Sequence, residues 1–484
     1  MNNIRVFIDF GSTFTKVAAF DIDREELVAR VQAPSSVDTD ITVGLMEALD
    51  ALREIVSISD AQIKNAVACS SAAGGLRMVC VGLVPDYTTK AGQMAALGAG
   101  AKVVGTFSYE LSGSELREIA ALRPDIVLLT GGTDGGNKKT IIHNSEALAS
   151  ISGSLAVVIV AGNKSAYDDI ESNFRTTGLD VSFTANVMPE FGKLELQPVN
   201  DRIRELFIGR ITKAKGISRV EDIIGGVLMP TPSAILKAAE LISGGVATKA
   251  KTSGTNNSGG KAFAGNEKNR GLGELLLVDV GGATTDIYSI ATGAPTRDGV
   301  HTIGLREPYA KRTVEGDLGL YHNLDSLAGI YAEESRYSAD APEDEAGVAR
   351  QVEELRKLLS VPSGEAQTRY QLELSRLAVR VAVERHAGRV ESFPTTAGDV
   401  WVQRGKDLGD VPLIIGAGGP LAFSSNPRHV LEGAASDPSE PYLLKPKSPE
   451  YLLDEKYILF AIGLLSVTEP DIALCIAKKY LSKL

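Results

Sequence analysis

The residues best suited to chemistry lie in two short segments of one design. In Asp9-Phe10-Gly11-Ser12-Thr13-Phe14-Thr15-Lys16 an apolar run ends in a carboxylate and turns through glycine and hydroxyl side chains. Asp279-Val280-Gly281-Gly282-Ala283-Thr284-Thr285-Asp286 repeats the plan. Such a turn presents backbone N–H groups to an anion, and the carboxylate that closes the strand can hold a hydrated Mg²⁺. Gly11 lets backbone approach a phosphate, Ser12, Thr13 and Thr15 can donate hydrogen bonds, and Lys16 can supply charge. Gly281, Gly282, Ala283 and Thr284 offer the same kind of turn in the second copy. Either segment by itself could be an ordinary hairpin whose glycine serves a positive-φ turn. Two of them facing each other would clamp a phosphate chain and its metal from both sides.

A third cluster, Ile415-Gly416-Ala417-Gly418-Gly419-Pro420, follows an apolar strand. With Gly416, Gly418 and Gly419 free of side chains, a flat adenine or ribose could lie against backbone there. No GxxxxGK[ST] occurs, and GxGxxG fails at Gly416 because Leu421 holds the last place, so neither a Walker loop nor a dinucleotide fold is spelled. Glu315 and Asp317 flank Gly316 and could orient water or hydrated metal, or they could belong to a solvated turn or a helix cap. Gly131–Gly136 is either another phosphate turn or a tight strand-to-helix connection. The five histidines show no ligand spacing, and Cys69 and Cys80 read as buried thiols.

These turns need strands to position them. Ile4–Asp21 and Leu275–Ile290 each read as a hairpin, and each is followed by a second apolar strand running into glycines, Asp125–Gly136 and Val411–Pro420. Two copies of this plan predict a duplicated α/β domain. Further strands are expected at Ala66–Ser70, Lys102–Thr106, Asp125–Leu129, Ala156–Val160 and Val181–Asn186, with helices at Ser114–Leu122 and Lys138–Ser150. Starts about 25–35 residues apart are the rhythm of parallel strands with helical crossovers, hence a doubly wound sheet. The chain then divides into a first lobe at 1–225 with an α/β insertion at about 66–190, a second lobe at 226–453, and C-terminal helices at 454–484 that return to the first lobe. Ser243–Gly273 is Gly, Ser, Thr, Asn and Lys with almost no apolar side chain and should be a mobile loop; about 325–390 should be a helical insertion.

Composition fits this picture. A chain of 484 residues with 44% hydrophobic and 23% charged side chains can bury more than one core, at roughly 150 residues per domain. Fifty Lys and Arg against 61 Asp and Glu leave a net charge of −11, which disfavours duplex nucleic acid or an anionic membrane as partner. Three cysteines without a CxxC point to a reducing compartment. The start MNNIRVFIDF enters a strand directly, and the apolar run Tyr457–Val467 is too short to span a bilayer, so a cytoplasmic protein is expected. Nothing in the pattern excludes an oligomer.

The three glycine segments, in this order, resemble the phosphate and adenosine motifs of the acetate and sugar kinase, Hsp70 and actin ATPase superfamily. That resemblance implies two actin-like or Hsp70-like lobes with ATP in the cleft between them. It implies that Asp9 and Asp279 position Mg²⁺, often through water, together with the attacking water. A nearer likeness is to the accessory proteins of adenosylcobalamin-dependent glutamate mutase, the GlmL or MutL family, which is unrelated to mismatch repair. It is carried by Ile8–Val17, Pro124–Asn137, Val278–Asp286, Lys311–Gly319, Arg385–Gly388, Gly405–Leu408 and Tyr457–Ser466. This family implies an ATPase that acts on a mutase holding inactive cobalamin and exchanges the damaged cofactor. The Asp-x-His-x-x-Gly pattern that presents histidine to cobalt is absent, which suits a helper better than the mutase itself. A small-molecule kinase and an actin-like filament protein are the other functions compatible with the fold.

Overall fold

The computed structural model describes residues 3–36, 39–71, 76–211, 217–246, 267–335, 345–357, 364–396 and 398–484. Strands β1 (Ile4–Phe10) and β2 (Phe14–Asp21) form an antiparallel hairpin whose register sets Asp9 opposite Lys16. β3 (Glu26–Pro34) pairs antiparallel with β2, and β4 (Val67–Ser70) joins the free side of β1 in parallel.

The chain then leaves this sheet to build another. β5 (Arg77–Gly82), β6 (Lys102–Ser108), β7 (Ile126–Leu129), β8 (Val157–Val160) and β9 (Asp180–Phe183) make a wholly parallel sheet in the order β6-β5-β7-β8-β9. This is the flavodoxin-like order 2-1-3-4-5 of a doubly wound domain. Val67–Ser70, read from spacing as part of this unit, pairs instead with β1, so the inserted sheet starts at β5. β5 itself went unread and is the strand around which the sheet's order reverses. One face of the inserted sheet, including Met78, Cys80 and Leu128, merges with the first-lobe core, and the other, including Val79, Val127 and Val158, packs under its own helices. β10 (Val227–Pro230) then returns beside β4 and completes the first sheet as β10-β4-β1-β2-β3.

The second lobe repeats that sheet. β11 (Leu275–Val280) and β12 (Thr285–Ile290) form the second hairpin. β13 (Val300–Thr302) belongs to a side sheet, while β14 (Ala310–Glu315) extends the hairpin antiparallel to β12. β15 (Arg389–Thr395) and β16 (Gly398–Arg404) complete the side sheet. β17 (Leu413–Ala417) lies parallel to β11 and β18 (Glu450–Leu453) parallel to β17, with β19 (Ser482–Lys483) at the edge. Both sheets therefore share three antiparallel strands followed by two parallel ones, with β19 added at the edge of the second, the signature of a duplicated actin-like fold. The counterpart of β17 in the first lobe is β4. The Asp125–Gly136 segment, expected in that role, lies in the inserted sheet because β7 pairs with β5 and β8.

Between the two sheets run the helices Thr231–Gly244 and Leu459–Leu465, burying Phe7 and Phe20 of the first sheet and Leu277 and Ile415 of the second in one core. They pass so close that a Cβ on Gly463 would lie 1.8 Å from the Ala234 carbonyl oxygen. Helices Leu324–Ser335, Glu345–Lys357 and Glu365–His386 cover the outer face of the second sheet. Along the last of these, Tyr370, Leu374, Leu377, Ala378 and Ala382 are buried at helical spacing, which is what fastens it there. Most of the Ser243–Gly273 stretch lies outside the described residues. No described helix is long and apolar enough to cross a membrane.

Candidate functional site: a cleft between two facing hairpins

The two hairpin turns are built alike to the atom. In each, the first glycine N–H donates to the carbonyl three residues on, Gly11 to Phe14 at 3.1 Å and Gly281 to Thr284 at 2.9 Å. A Cβ at Gly11 would stand 2.7 Å from the Phe14 oxygen, and one at Gly281 2.9 Å from the Thr284 oxygen, so the turn has room only for glycine. The turns meet across the lobes, since a Cβ on Gly282 would come within 2.9 Å of the Thr13 hydroxyl. Together they border a cavity of about 500 Å³.

The cavity wall contains Asp9, Gly11, Ser12, Thr13 and Lys16 from the first hairpin and Asp279, Gly281, Gly282, Ala283 and Thr284 from the second. Gly419 joins them from the third turn. Thr15 does not, because side chains alternate along β2 and Phe14 and Lys16 take the cleft side. Gly416 faces the core, where a Cβ would meet Leu431, and Gly418 (φ +95°) lets the third turn pack on β11, with a Cβ position 2.0 Å from the Val280 oxygen. These two glycines shape the site from behind. Glu315 and Asp317 also lie outside the wall. Arg385 joins both, with Nη1 2.7 Å from Glu315 Oε2 and 2.8 Å from Asp317 Oδ1. The Gly131–Gly136 turn sits in the inserted domain, where Asn163 and Asn186 bond its backbone.

The two aspartates have opposite surroundings. Asp9 is 1% exposed and both oxygens are committed, Oδ2 to Lys16 Nζ at 2.7 Å and Oδ1 to the Thr231 hydroxyl at 2.5 Å. Burial pulls the Lys16 ammonium down, but the adjoining Asp9 carboxylate and Tyr457 outweigh it and hold it above the usual lysine range. The Asp279 side chain makes no hydrogen bond among the described residues. Desolvation first, and the Asp286 carboxylate second, push it up to about 7. Asp286 is itself held by Arg312, whose Nε and Nη2 lie 2.9 and 2.6 Å from Oδ1, and by the Thr284 hydroxyl at 2.8 Å.

A carboxylate raised by a second carboxylate marks a place short of positive charge, which fits a divalent cation. Among the described residues no three His, Cys, Asp or Glu side chains converge. Such an ion would therefore depend on one or two carboxylates and on ligand phosphate and water, the habit of Mg²⁺.

Sequence reasoning did not single out Asp286, Arg312, Thr231 or Tyr457 as site residues. Tyr457 has a left-handed backbone (φ 55°) and sets its ring against Lys16, with Nζ 4.2 Å from the centroid. The signal available for Asp286 was its register, since it occupies the place of Lys16. The wall also holds the apolar side chains of Phe207, Leu320, Leu324, Leu355 and Leu374.

Comparison with known proteins identifies the family of this chain. The family model described as MutL protein matches residues 5–481. Protein MutL of Clostridium tetanomorphum is 41% identical over 480 residues, covering 99% of each chain. Xylulose kinase from Bifidobacterium adolescentis aligns over 100% of this chain and 96% of its own at 12% identity and a TM-score of 0.30. The ethanolamine utilization protein EutJ from Carboxydothermus hydrogenoformans aligns over 98% and 90% at 11% identity and a TM-score of 0.24. The fold rests on the matching strand orders of the two sheets. With its full-length family match and its 41% identical relative, this chain belongs to the MutL protein family.

Proposed function

We propose that the cleft binds Mg²⁺ and ATP and hydrolyses the nucleotide. The observation that carries this is the pair of facing hairpins, each with a glycine-closed turn and a carboxylate at the strand end. Backbone N–H groups of both turns and Lys16 would hold the phosphates. Asp9 and Asp279 would hold a hydrated Mg²⁺ through water, and that ion would supply neutralisation of the phosphate charge. Asp279, whose side chain makes no hydrogen bond among the described residues, is also suited to accept a proton from the water that attacks the terminal phosphorus as the bond to the ADP oxygen breaks. The apolar side chains Phe207, Leu320, Leu324, Leu355 and Leu374 in the cavity wall suit a nucleobase better than a polyhydroxylated acceptor, which counts against a sugar kinase.

We further propose that lobe motion driven by this hydrolysis acts in the cytoplasm on an adenosylcobalamin-dependent mutase, glutamate mutase or a related aminomutase, so that damaged cobalamin leaves. The support is the motif resemblance over the whole chain and the inserted domain. Its flavodoxin-like strand order is the general class of cobalamin-binding mutase domains, an analogy at the level of fold. The carboxyl ends of its strands expose Val84, Tyr109 and Phe191, while the amides of Leu83 and Val84 are already bonded to the Thr88 hydroxyl. A rim whose amides are spent and whose apolar side chains are exposed suits protein contact better than a bound nucleotide. The test mixes oxygen-inactivated mutase with this protein, ATP, Mg²⁺ and fresh adenosylcobalamin. Recovered mutase activity is expected; absence of recovery with every cobalamin mutase tried rejects the reading.

A further inference from the structure

A second cavity, of about 760 Å³, lies at the junction of three parts of the molecule. Its walls come from the inserted domain (helix Lys90–Gly98), from the first lobe (helices Gln197–Ile211 and Thr231–Gly244), and from β14 and the β15–β16 region of the second lobe. Although the whole chain carries −11, these walls hold eight Lys or Arg side chains against three Glu. Part of the excess is paired: Arg204 Nη1 lies 3.2 Å from Asp201 Oδ1, Arg404 Nε lies 3.4 Å from Glu391 Oε2, and Glu240 faces Lys237 and Arg204. Lys90 and Lys311 share the one carboxylate of Glu307, at 2.8 and 3.5 Å. Lys237 and Arg389 form no ion pair among the described residues, and the Arg204 Nε is buried without a partner. Arg385 and Arg312 spend themselves on carboxylates outside the cavity.

Behind this wall lie two further basic side chains, Lys406 and His386. Lys406 is buried with only carbonyl oxygens of Ser289, Pro308 and Tyr309 as acceptors, and desolvation followed by the Lys311 charge pushes it down to about 7. His386 is held well below its ordinary value by burial and by the same lysines. A concave site that holds cations without an ion-pair partner, here Lys237 and Arg389, attracts anions.

Arg312 borders both this cavity and the nucleotide cleft. Besides holding Asp286, its Nη1 donates to the carbonyls of Leu97 (3.0 Å) and Ala101 (3.1 Å) at the end of the Lys90–Gly98 helix. One side chain thus joins the second phosphate hairpin, the inserted domain and the second cavity.

We propose that this cavity is a regulatory site for a multiply charged anionic metabolite, carrying two or more phosphate or carboxylate groups, whose occupancy is passed to the cleft through Arg312. Lys237 and Arg389 supply the uncommitted charge, and the ligand bridges the inserted domain and both lobes. Binding at this site is independent of the ATPase reading, whereas its effect on turnover rests on it.

The test is calorimetric titration of the full-length protein with inorganic tripolyphosphate and, separately, with citrate. It compares wild type, the double variant Lys237→Glu/Arg389→Glu, and Thr13→Glu, which places a carboxylate in the nucleotide turn. At least one probe should bind wild type and Thr13→Glu alike and bind the double variant at least tenfold more weakly. Which probe binds identifies phosphate or carboxylate as the recognised group. The same probe should change the ATP hydrolysis rate of wild type and leave that of the double variant unaltered. A Lys237→Gln/Arg389→Gln pair, checked by thermal melting, replaces the charge reversal if that variant fails to fold. Absence of binding by both probes, or binding lost in Thr13→Glu and kept in the double variant, overturns the proposal. If wild type hydrolyses no ATP, the ATPase reading fails while the titration still decides the second site.

Discussion

Asp279 stands directly across the second hairpin from Asp286, at the register position where Lys16 faces Asp9 in the first. The same backbone plan thus carries a neutralised pair in one lobe and two carboxylates in the other. Like charges opposite each other cost stability unless a cation is supplied. Arg312, from the adjacent strand, supplies it to Asp286 and leaves Asp279 without a partner.

This asymmetry makes the two aspartates respond differently to removal. Asp279→Ala deletes an unpartnered carboxylate and should leave the melting temperature unchanged or higher, while lowering ATP hydrolysis by at least about 100-fold, on the scale of losing a principal electrostatic group. Asp9→Ala leaves the Lys16 ammonium buried and unpaired, and should cost about 3–5 kcal/mol as well as activity. Thermal melts and single-turnover hydrolysis of the two variants check this; equal destabilisation by both would contradict it.

The pH dependence follows from Asp279. Its carboxyl in the empty cleft is raised to about 7, so below that pH the proton must leave before a cation is bound. Affinity for Mg²⁺ and ATP should therefore rise between pH 6 and pH 8, with proton release visible as a buffer-dependent binding heat. Asp286→Asn removes the second cause of the shift and should flatten the rise.

Arg312→Leu removes the only side chain bonded to both Asp286 and the Lys90–Gly98 helix end among the described residues. Leaving the buried Asp286 carboxylate unpaired should cost about 3–5 kcal/mol, and the Asp286→Asn/Arg312→Leu pair should recover part of it. A double-mutant cycle by denaturant titration measures the coupling. Additive losses would show that the two side chains act separately.

Gly463→Ala tests the spine between the lobes. The added Cβ meets the Ala234 carbonyl, and the two helices have to part. Overpacking of this kind costs about 1–3 kcal/mol, and a lowered melting temperature should accompany altered ATP turnover because the spine touches both sheets.

The inserted domain shows where reading by spacing stopped. Strands at Lys102, Asp125, Ala156 and Val181 were legible because parallel crossovers repeat at a regular interval, but β4 and β5 lie close together in sequence and belong to different sheets. Pairing partners, which sequence rhythm does not carry, decide that division. For the same reason Asp125–Gly136 passed for the first-lobe equivalent of Val411–Pro420.

What the sequence determined by itself is local. A strand ending in Asp, a glycine that must close a turn, and the repetition of both at Asp9 and Asp279 are written in consecutive residues, and so is the third glycine turn. Tertiary structure decided which of those residues face the cleft. It turned Thr15 away by strand alternation, drew Glu315 and Asp317 onto Arg385, and brought Arg312 to Asp286 and to the end of a helix more than two hundred residues earlier in the chain. Charge balance in a buried site depends on distance through space, and only the folded chain fixes that distance.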